Sequence, residues 1–474
     1  MVILWSRLSS MKTDLYRLDI AQARNKLLKK EISAPELVRS CLERIHQLNP
    51  KLNAFTYIND SAIKQSEHID SSLPLAGIPI ALKDNILSAG LPATASSLVL
   101  ENYISQYDST VAKKLKDAGA IIIGKTNMDA WAHGSSTETS DFGPTLNPHN
   151  TDYLPGGSSG GSAAAVCADM CIAAIGTETA GSIRQPASWC GITGFKPTYG
   201  RVSRYGIIAM ASSTDSPGPM TKNVSDAALL LQIIAGNDSQ DATSSPSDAP
   251  DYSKDINSKI SGLRIGLAKD YLLPGMSGQV ISLIRNAAAD FEKFGASVEE
   301  ISLMDPQYSI GVYTILQRSE VSSNLARYDG IRFGKGRDSF AEEAKRRIML
   351  GTYALSAGYY DQFYRKAQQV RTLIVKDFEK AFKNVDLIIG PTSPGTALPV
   401  GASKNQPMFG EMEDVLAEPS SIAGLPGVSV PCGFIKGLPV GLQIISSAFN
   451  EKKILQAAYA YQSITNWHKT KPQL

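Results

Sequence analysis

The spacing of apolar residues near the start of the chain predicts two consecutive helices. The first covers residues 14–30. The second opens with a Ser-Ala-Pro-Glu capping box at positions 33–36, in which proline occupies the first turn. Apolar residues then recur at near-helical spacing at Leu37, Cys41, Ile45 and Leu48. The pair Asn49-Pro50 is expected to stop this helix.

Shorter apolar runs farther along the chain predict strands separated by helices. Residues 75–82 predict a strand that ends at Lys83, and a helix at 110–119 leads directly into a strand at 120–123. A tightly packed helix running into a buried strand is predicted within 162–175. Further strands are predicted at 263–268, 297–301, 385–390, 428–431 and 438–445, and helices at 279–294, 451–462 and through most of 308–377. This alternation predicts an α/β protein with a large mixed β-sheet covered by helices on both faces.

One long polar stretch interrupts this pattern. Residues 237–258 are rich in Pro, Ser and Asp, which is typical of an exposed loop. The length of 474 residues would allow two or three domains. We interpret residues 1–474 as one domain, with a catalytic core region at 70–235 and a later lobe at 260–380 that covers the substrate.

Composition argues against several classes of function. The formal net charge is +2, so no overall attraction to nucleic acid is expected. The five cysteines are too scattered for a disulfide framework, and no Cys/His spacing predicts a metal site. No apolar run is long enough to span a bilayer, and Met1–Met11 lacks the layout of a signal peptide. These features fit a cytoplasmic protein better than one of an organellar matrix.

Candidate chemistry is concentrated in residues 154–199, where two clusters of small residues surround serines. The first cluster reads G-G-S-S-G-G-S, and the second is Thr179-Ala180-Gly181-Ser182. Small residues allow sharp turns, and consecutive backbone N–H groups at such a turn can hold an oxyanion. The second cluster could therefore supply both a nucleophile and the donors that stabilise its tetrahedral intermediate. The alternative is an ordinary Gly/Ser linker, although apolar segments flank both clusters.

A serine nucleophile needs a base, and the sequence offers two candidates. Residues 156–160 match the G-x-S-x-G pattern of Ser-His-Asp hydrolases, but a polar stretch precedes them where that pattern requires an apolar strand. None of the five histidines lies in a recognisable triad context. Lys83 instead ends an apolar run, and burial would favour its neutral, proton-accepting form. A lysine at a strand end is otherwise usually solvated.

Residues 119–126 match a nucleotide-binding pattern that the local sequence contradicts. They read G-A-I-I-I-G-K-T and satisfy G-x-x-x-x-G-K-T. A phosphate loop needs free backbone N–H groups that curl around the anion, whereas A-I-I-I favours a buried strand. We therefore predict a strand and no nucleotide site at this position.

Lys83, the G-G-S-S-G-G-S run and a G-S-I-R-Q-P run together resemble the amidase signature family over nearly the whole chain. The resemblance implies the amidase-signature fold and a Ser-cisSer-Lys triad. In that triad Ser182 is the nucleophile, Ser158 is the bridging serine with the cis peptide bond, and Lys83 is the base. Glu178 and Ala180 depart from the family's usual D-T-G-G-S. Alanine still has the backbone N–H that an oxyanion hole at Thr179, Ala180 and Gly181 requires.

Two other segments extend the resemblance. Residues 128–138 match a pocket-lining segment in which many relatives read D-E-F-A-M-G, and this chain differs there at Ala130, Trp131 and His133. The stretch 308–377 is more similar to the A subunits of aspartyl/glutamyl-tRNA(Asn/Gln) amidotransferases than to general amidases. By position, the residues that bind free glutamine in those proteins correspond to Tyr313, Arg347 and Asp414.

The chemistry of these three residues suits glutamine. Arg347 can pair bidentately with the α-carboxylate, Asp414 can accept from the α-ammonium, and Tyr313 can shape the pocket. Two alternatives stay open. Arg347 belongs to a Lys-Arg-Arg run that could form a solvated helix face, and Asp414 lies in an acidic run where the alignment could slip.

The resemblance also implies a function with partners. It implies a glutaminase subunit in a heterotrimeric amidotransferase, together with the B and C subunits of that enzyme, and misacylated tRNA bound through the partner. Ammonia would serve the transamidation of Glu-tRNA(Gln), or of Asp-tRNA(Asn). ATP and Mg²⁺ are expected in the partner subunit, with no cofactor in this chain. The alternatives are a free-standing amidase for another carboxamide and a non-catalytic scaffold subunit with the same fold.

Overall fold

The computed structural model of the chain describes residues 14–332 and 334–474. The stretch Met1–Met11 considered above lies outside the described residues. The strands are β1 (Phe55–Ile58), β2 (Pro79–Lys83), β3 (Ile121–Thr126), β4 (Ala173–Glu178), β5 (Thr193–Lys196), β6 (Ser216–Thr221), β7 (Arg264–Ala268), β8 (Ser297–Ile301), β9 (Leu387–Pro391), β10 (Gly427–Ile435) and β11 (Leu438–Ser446). The α-helices are α1 (Ile20–Leu28), α2 (Ala34–Leu52), α3 (Ala62–Gln65), α4 (Thr110–Asp117), α5 (Gly160–Cys167), α6 (Arg184–Cys190), α7 (Val224–Ile234), α8 (Gly278–Glu292), α9 (Gln307–Leu325), α10 (Glu342–Ala354), α11 (Lys366–Ala381), α12 (Phe409–Asp414), α13 (Glu418–Ile422) and α14 (Glu451–Ile464).

The strands of the described residues form one mixed sheet in the order β1-β3-β2-β4-β6-β5-β10-β11-β9-β7-β8. The pairs β2–β3, β2–β4, β7–β8 and β7–β9 are parallel. The other neighbouring strands are antiparallel. Every residue of β2, β4 and β6 is buried, as expected for strands covered on both faces. The predicted α/β class with a large mixed sheet is confirmed.

Two large hydrophobic clusters pack the helices against this sheet. The larger cluster combines apolar side chains of α2, α5, α7 and α14 with the central strands. The second cluster joins α9, α10 and α11 to β9 and to the loops that follow β2 and β3. The later helices therefore lie close to the ends of the strands from which the candidate site residues project. Among the described residues, no helix combines the length and the apolar character needed to cross a membrane.

The first predicted helix forms, but it starts later than the pattern suggests. It begins at Ile20, because the Asp19 side chain caps the helix by accepting the N–H of Gln22 at 2.7 Å. The second helix carries the predicted capping box, in which the side chains of Ser33 and Glu36 each accept a backbone N–H of the other residue.

The second helix does not stop at Asn49-Pro50, so that prediction was wrong. It includes Pro50 and continues to Leu52, which is completely buried. The Asn49 side chain accepts the N–H of Phe55 at 2.8 Å and donates to the Phe55 carbonyl at 3.1 Å. These contacts with β1 hold the last turn in place even though proline lacks an N–H for the helix.

The segment that matches a phosphate-loop pattern is a buried strand, as its A-I-I-I run predicts. It forms β3 and extends to Thr126, three residues beyond the predicted end, with β1 on one side and β2 on the other. The Lys125 ammonium is buried and donates to the carbonyl of Pro92 at 2.9 Å and to Asp84 at 3.4 Å. The lysine of this motif is therefore engaged within the core.

The later part of the chain contains the predicted β-α-β unit, in which β7 and β8 pair in parallel with α8 between them in sequence. Both strands belong to one edge of the same sheet. Between α7 and β7 the chain forms neither helix nor strand, and most of its side chains are exposed. Tyr252 is an exception, since it is completely buried. The division into a catalytic region and a covering lobe remains a prediction.

Candidate active site

Lys83 is the last residue of β2 and is completely buried. Its Nζ donates to Ser158 Oγ at 2.7 Å and to the Thr177 carbonyl oxygen at 3.1 Å. β2 runs parallel to β4, so the carboxyl ends of both strands meet at one edge of the sheet. The structure thus brings the predicted base into direct contact with the predicted bridging serine.

The environment of Lys83 favours its neutral form. Burial lowers the pKa of Lys83 to about 7, well below the 10.5 of a solvated lysine. Four carboxylates oppose this shift because they favour the ammonium form, namely those of Asp129, Asp215, Glu178 and Asp414. At neutral pH a large fraction of Lys83 is consequently uncharged, and an uncharged amine can accept a proton.

Ser158 lies in a tight segment just before α5. The peptide bond between Gly157 and Ser158 is cis. A Cβ at Gly157 would come within 2.1 Å of Asp129 Oδ2, so no side chain fits there. The N–H of Ser159 donates to the carbonyl of Ser182 at 3.1 Å. This main-chain contact holds the two serine segments side by side.

Ser182 lies in the turn that leads from β4 into α6. The turn closes around Glu178, whose carboxylate accepts the N–H groups of Ile183 and Arg184 at 3.0 Å each. The Arg184 guanidinium also forms an ion pair with Glu178 at 2.6 Å, and both side chains are fully buried. The glutamate that replaces the family's usual aspartate therefore has a full set of partners.

Three consecutive backbone N–H groups in this turn, at residues 180–182, donate no hydrogen bond within the described residues. Ala180 and Ser182 are nevertheless buried. The Ala180 carbonyl accepts from Ser421 Oγ at 2.6 Å and from Arg184 Nη2 at 3.2 Å. Because C=O and N–H point in opposite directions in a trans peptide, the Gly181 N–H is directed away from Arg184. Buried N–H groups without partners can receive an oxyanion.

Thr179 begins the turn and anchors it to the loop that precedes β6. Its Oγ1 donates to Asp215 Oδ1 at 2.8 Å, and Asp215 also accepts the N–H of Met210 at 2.9 Å. Burial raises the pKa of Asp215 to about 6. The role of Thr179, Ala180 and Gly181 in holding an oxyanion remains a prediction.

Asp414, the last residue of α12, reaches the same turn. Its Oδ2 accepts from Ser135 Oγ at 2.7 Å, while its buried Oδ1 has no hydrogen-bond partner in the described residues. A Cβ at Gly181 would lie 2.3 Å from this Oδ1. Burial raises the pKa of Asp414 well above the ordinary value of an aspartate. An unpaired carboxylate oxygen therefore lies directly beside the candidate nucleophile.

Arg347 lies on α10 and is only 4% exposed, so the alternative of a solvated helix face is wrong for this residue. Its Nε donates to Glu343 Oε1 at 2.7 Å, and its Nη2 lies 3.8 Å from Glu411 Oε1. Neither terminal nitrogen of Arg347 donates a hydrogen bond to a described residue. Glu411 also forms an ion pair with Arg318 at 3.0 Å. Two arginines thus flank one buried carboxylate.

Tyr313 on α9 is buried near these charged groups. Burial raises the pKa of its hydroxyl well above the ordinary value, and the positive charge of Arg347 opposes that rise. The carboxyl groups of Glu418, Asp414 and Glu411 act on the same hydroxyl. Tyr313, Arg347 and Asp414, the three residues predicted to bind glutamine, are therefore close enough to interact electrostatically. No hydrogen bond joins them directly within the described residues.

A cleft of about 480 Å³ opens beside Arg347. Its walls include His133, Ser135, Arg347 and Glu411, whereas Tyr313, Asp414 and the triad residues do not line it. A groove of about 510 Å³ lies near α1 and the start of α2. That groove is slightly larger but contains none of the predicted site residues, so the chemistry favours the first cleft. No cluster of three or more His, Cys, Asp or Glu within residues 14–332 and 334–474 could hold a metal ion.

Several residues that organise the site were not predicted. Arg184 belongs to the G-S-I-R-Q-P run, but nothing in the sequence indicates that it closes the turn on Glu178. Ser135, which positions Asp414, is separated from it by 279 residues. The pairing of Arg318 with Glu411 is equally non-local. The sequence contains one signal for such residues, a charged residue inside a segment that is otherwise predicted to be buried. This signal does not identify the residue with which the charge pairs.

The mixed α/β sheet, and the contact between a buried lysine and a serine beside a second serine-bearing turn, agree with the class of protein that the comparisons show, the amidases. The family described as Amidase matches residues 36–455, and the chain belongs to this family.

Among relatives, the chain is 48% identical to the A subunit of glutamyl-tRNA(Gln) amidotransferase from Roseiflexus castenholzii over 98% of this chain and 99% of that protein. Among solved structures, the protein of the same name from Thermotoga maritima is 40% identical, with a TM-score of 0.85 and 96% of each chain covered. A 6-aminohexanoate cyclic dimer hydrolase is 26% identical, with a TM-score of 0.90 over 98% of this chain and 99% of that one. Proteins named for different substrates thus share this fold. In sequence, the chain is more similar to the amidotransferase A subunits than to the cyclic dimer hydrolase.

Proposed function

We propose that this chain is the glutaminase subunit of a tRNA-dependent amidotransferase. The observation that carries the proposal is the hydrogen bond between buried Lys83 and Ser158, beside a turn in which unpaired N–H groups precede and include Ser182. The 48% identity to the A subunit of an amidotransferase over nearly the whole chain supports this choice within the amidase family.

In the proposed reaction, neutral Lys83 accepts the Ser158 proton while Ser158 accepts the proton of Ser182. Ser182 Oγ attacks the side-chain carboxamide of glutamine, and the N–H groups of the turn stabilise the tetrahedral oxyanion. The relay then returns the proton to the leaving nitrogen, so that ammonia departs and a glutamyl ester of Ser182 remains. Water hydrolyses this ester through the same relay, which yields glutamate and free Ser182.

Side chains that could bind the α-ammonium and the α-carboxylate of glutamine lie near the catalytic turn. The unpaired Asp414 Oδ1 would accept from the α-ammonium. The terminal nitrogens of Arg347, one of which lies 3.8 Å from Glu411 Oε1, would donate to the α-carboxylate. Tyr313 would contribute its hydroxyl. Because α9 and α10 carry two of these residues, residues 260–380 act as a substrate-covering lobe over the 70–235 core, all within one domain.

The released ammonia would pass to the B subunit of the amidotransferase, which would use ATP and Mg²⁺ to amidate Glu-tRNA(Gln) or Asp-tRNA(Asn). The C subunit would complete a cytoplasmic heterotrimer. Copurification of the three subunits, followed by an assay of tRNA-dependent amide transfer from glutamine, tests this arrangement. Transfer that proceeds equally well without this chain when only glutamine is supplied would contradict it.

The glutaminase step is tested with Ser182→Ala in the assembled complex. Release of glutamate and ammonia should fall by at least about 10³-fold, because the nucleophile is lost. Ser188→Ala is the matched control, since Ser188 lies on α6 just beyond the turn and its buried hydroxyl has no partner within the described residues. Undiminished turnover in Ser182→Ala would refute the assignment of the nucleophile.

A free-standing amidase is the second candidate, favoured by the high structural similarity to a hydrolase of a cyclic amide. Arg347→Ala separates the two. A glutamine site should show a KM for glutamine raised by about 10–100-fold after loss of a charge-assisted contact. A pocket for neutral amides should not respond. Turnover of simple amides by the isolated chain, without response to partner or tRNA, would favour this candidate.

A non-catalytic scaffold is the third candidate, since Glu178 and Ala180 depart from the family pattern. The complete pairing of Glu178 and the unpaired N–H groups of the turn count against it. A fluorophosphonate probe should label Ser182 in the assembled complex, and mass spectrometry of the peptide should locate the adduct. Absence of labelling would support the scaffold.

A further inference from the structure

His133 has a side chain that the proposed mechanism does not use. It follows a short turn (Ala130–Ala132) in which Trp131 and Ala132 adopt positive φ angles of 59° and 62°. The backbone of His133 is paired, because its N–H donates to the Ala130 carbonyl at 2.9 Å and its carbonyl accepts from Thr139 Oγ1 at 3.3 Å. These hydrogen bonds fix the backbone from which the imidazole projects.

The imidazole itself is 1% exposed, and neither ring nitrogen has a hydrogen-bond partner in the described residues. A buried histidine with a purely structural role normally has at least one paired nitrogen. His149 is an example in this chain, since its Nε2 lies 3.2 Å from the Cys190 carbonyl oxygen. Leaving both nitrogens of His133 unpaired is unfavourable, so the position is suited to contact with a polar ligand group.

The surroundings of His133 indicate the charge of that ligand group. The side chain lines the 480 Å³ cleft together with Arg347 and Glu411. Burial lowers the pKa of His133 well below its ordinary value, and the positive charges of Arg347 and Arg318 act in the same direction. The imidazole is therefore neutral at physiological pH, with one N–H donor and one acceptor nitrogen.

We propose that His133 is a specificity-determining residue whose ring N–H donates to the α-carboxylate of the amino-acid substrate, alongside Arg347. This rests on the proposed glutaminase function. Arg347 lies close to Glu343 and Glu411, but its terminal nitrogens donate no hydrogen bond within the described residues, so they can still bind a ligand carboxylate. The substrate ammonium has the unpaired Oδ1 of Asp414 available on the side of the catalytic turn. Ser135, two residues after His133, donates a hydrogen bond to Asp414, so one segment contributes to binding both the α-ammonium and the α-carboxylate.

The test compares His133→Met with His133→Gln in the assembled complex. Methionine fills a similar space without an N–H donor, whereas glutamine retains one. His133→Met should raise the KM for L-glutamine by about tenfold, the effect of one hydrogen bond to a charged group, with kcat within about twofold. His133→Gln should recover most of the loss. Thermal melting of both variants reports whether the fold is kept.

A second substrate separates a contact with the carboxylate from a general packing effect. L-Glutaminamide has a neutral amide in place of the α-carboxylate. His133→Met should change its KM by less than about twofold if the lost contact is to the carboxylate. If melting shows that His133→Met does not fold, the same comparison is made with His133→Gln and His133→Asn, which place the N–H at different distances.

The outcomes distinguish this inference from the proposed function. If the wild-type complex hydrolyses glutamine and Arg347→Ala raises KM, but His133→Met leaves KM unchanged or affects both substrates equally, the role of His133 is overturned alone. A wild-type complex that does not hydrolyse glutamine overturns both.

Discussion

The side chains of Glu178 and Arg184 form a fully buried ion pair, 2.6 Å long, within the turn that carries Ser182. The same guanidinium donates to the Ala417 carbonyl and to the side chains of Ser420 and Gln443, on and around α13 and β11. One arginine therefore connects the candidate catalytic turn to two elements from the C-terminal part of the chain. The position of the turn depends on this pair.

Glu178→Gln is expected to destabilise the protein. It leaves the Arg184 charge buried without its anion, and loss of one partner of a buried pair typically lowers the free energy of unfolding by about 3–5 kcal/mol. Urea denaturation of the purified complex measures the change. Glu178→Asp is the control, because it keeps the charge but shortens the reach, and its loss should be smaller. Equal stability of Glu178→Gln and the wild type would mean that the pair is dispensable.

The pH profile of glutamine hydrolysis should report on Lys83. Because the pKa of Lys83 is about 7 and the neutral amine is the active form, kcat/KM should rise about tenfold per pH unit below that value and level off above it. Steady-state kinetics from about pH 5.5 to 9 measure this profile. Activity that stays constant down to about pH 5.5 would exclude a lysine base with this pKa.

The pKa of Lys83 also predicts how stability depends on pH. The unfolded lysine binds a proton up to its ordinary pKa of 10.5, whereas the folded lysine releases it near 7. Between these values the unfolded state binds more protons, so the contribution of Lys83 to the free energy of unfolding increases with pH. Lys83→Met should reduce the pH dependence in this window, measured by denaturation at several pH values. If the free energy of unfolding of Lys83→Met depends on pH as steeply as that of the wild type, the lowered pKa of Lys83 would be contradicted.

Gly181→Ala should impair the site more than the fold. The new Cβ would lie 2.3 Å from Asp414 Oδ1, so the aspartate must move away from the turn. We expect kcat/KM for glutamine to fall by about 10²-fold or more, as for other misplacements of reacting groups. Gly278→Ala is the matched control, because a Cβ there meets no atom within 4 Å. Comparable kinetics for both variants would argue against the close packing of Asp414.

Asp414→Asn tests the site for the substrate ammonium. Burial raises the pKa of Asp414 well above its ordinary value, and an arriving ammonium would lower that pKa and favour the ionised carboxylate. Binding of glutamine to the Ser182→Ala complex near pH 7 should therefore release up to one proton, measured by calorimetry in buffers of different ionisation enthalpy. Asp414→Asn should abolish the release and weaken binding by about 10–100-fold. Identical proton release in the variant would assign it to another group.

Sequence patterns predicted the elements of this fold well where hydrophobic periodicity determines them. The strand that ends at Lys83 and the parallel pair β7–β8 are examples. The end of α2 was wrong, because the local rule for Asn49-Pro50 takes no account of Phe55 in the following strand. Helix ends depend on contacts that periodicity does not contain.

The residues of the candidate site also divide into those that a local sequence pattern predicts and those that depend on contacts in the folded chain. The serine clusters and Lys83 could be identified, since small residues and a lysine after an apolar run are local signals. The burial of Arg347 could not, because one of its two carboxylate neighbours, Glu411, lies 64 positions away on another helix. Nor could the pairing of Ser135 with Asp414, which only the folded chain brings together.

The close approach of Asp414 to the backbone of residue 181 has a consequence for how such chains can diverge. A descendant that gains a side chain at position 181 must displace, shorten or lose the acid at 414. Substitutions at the two positions are therefore expected to depend on each other, and a lineage that abandons charged amino acids as substrates should release both from that constraint at once.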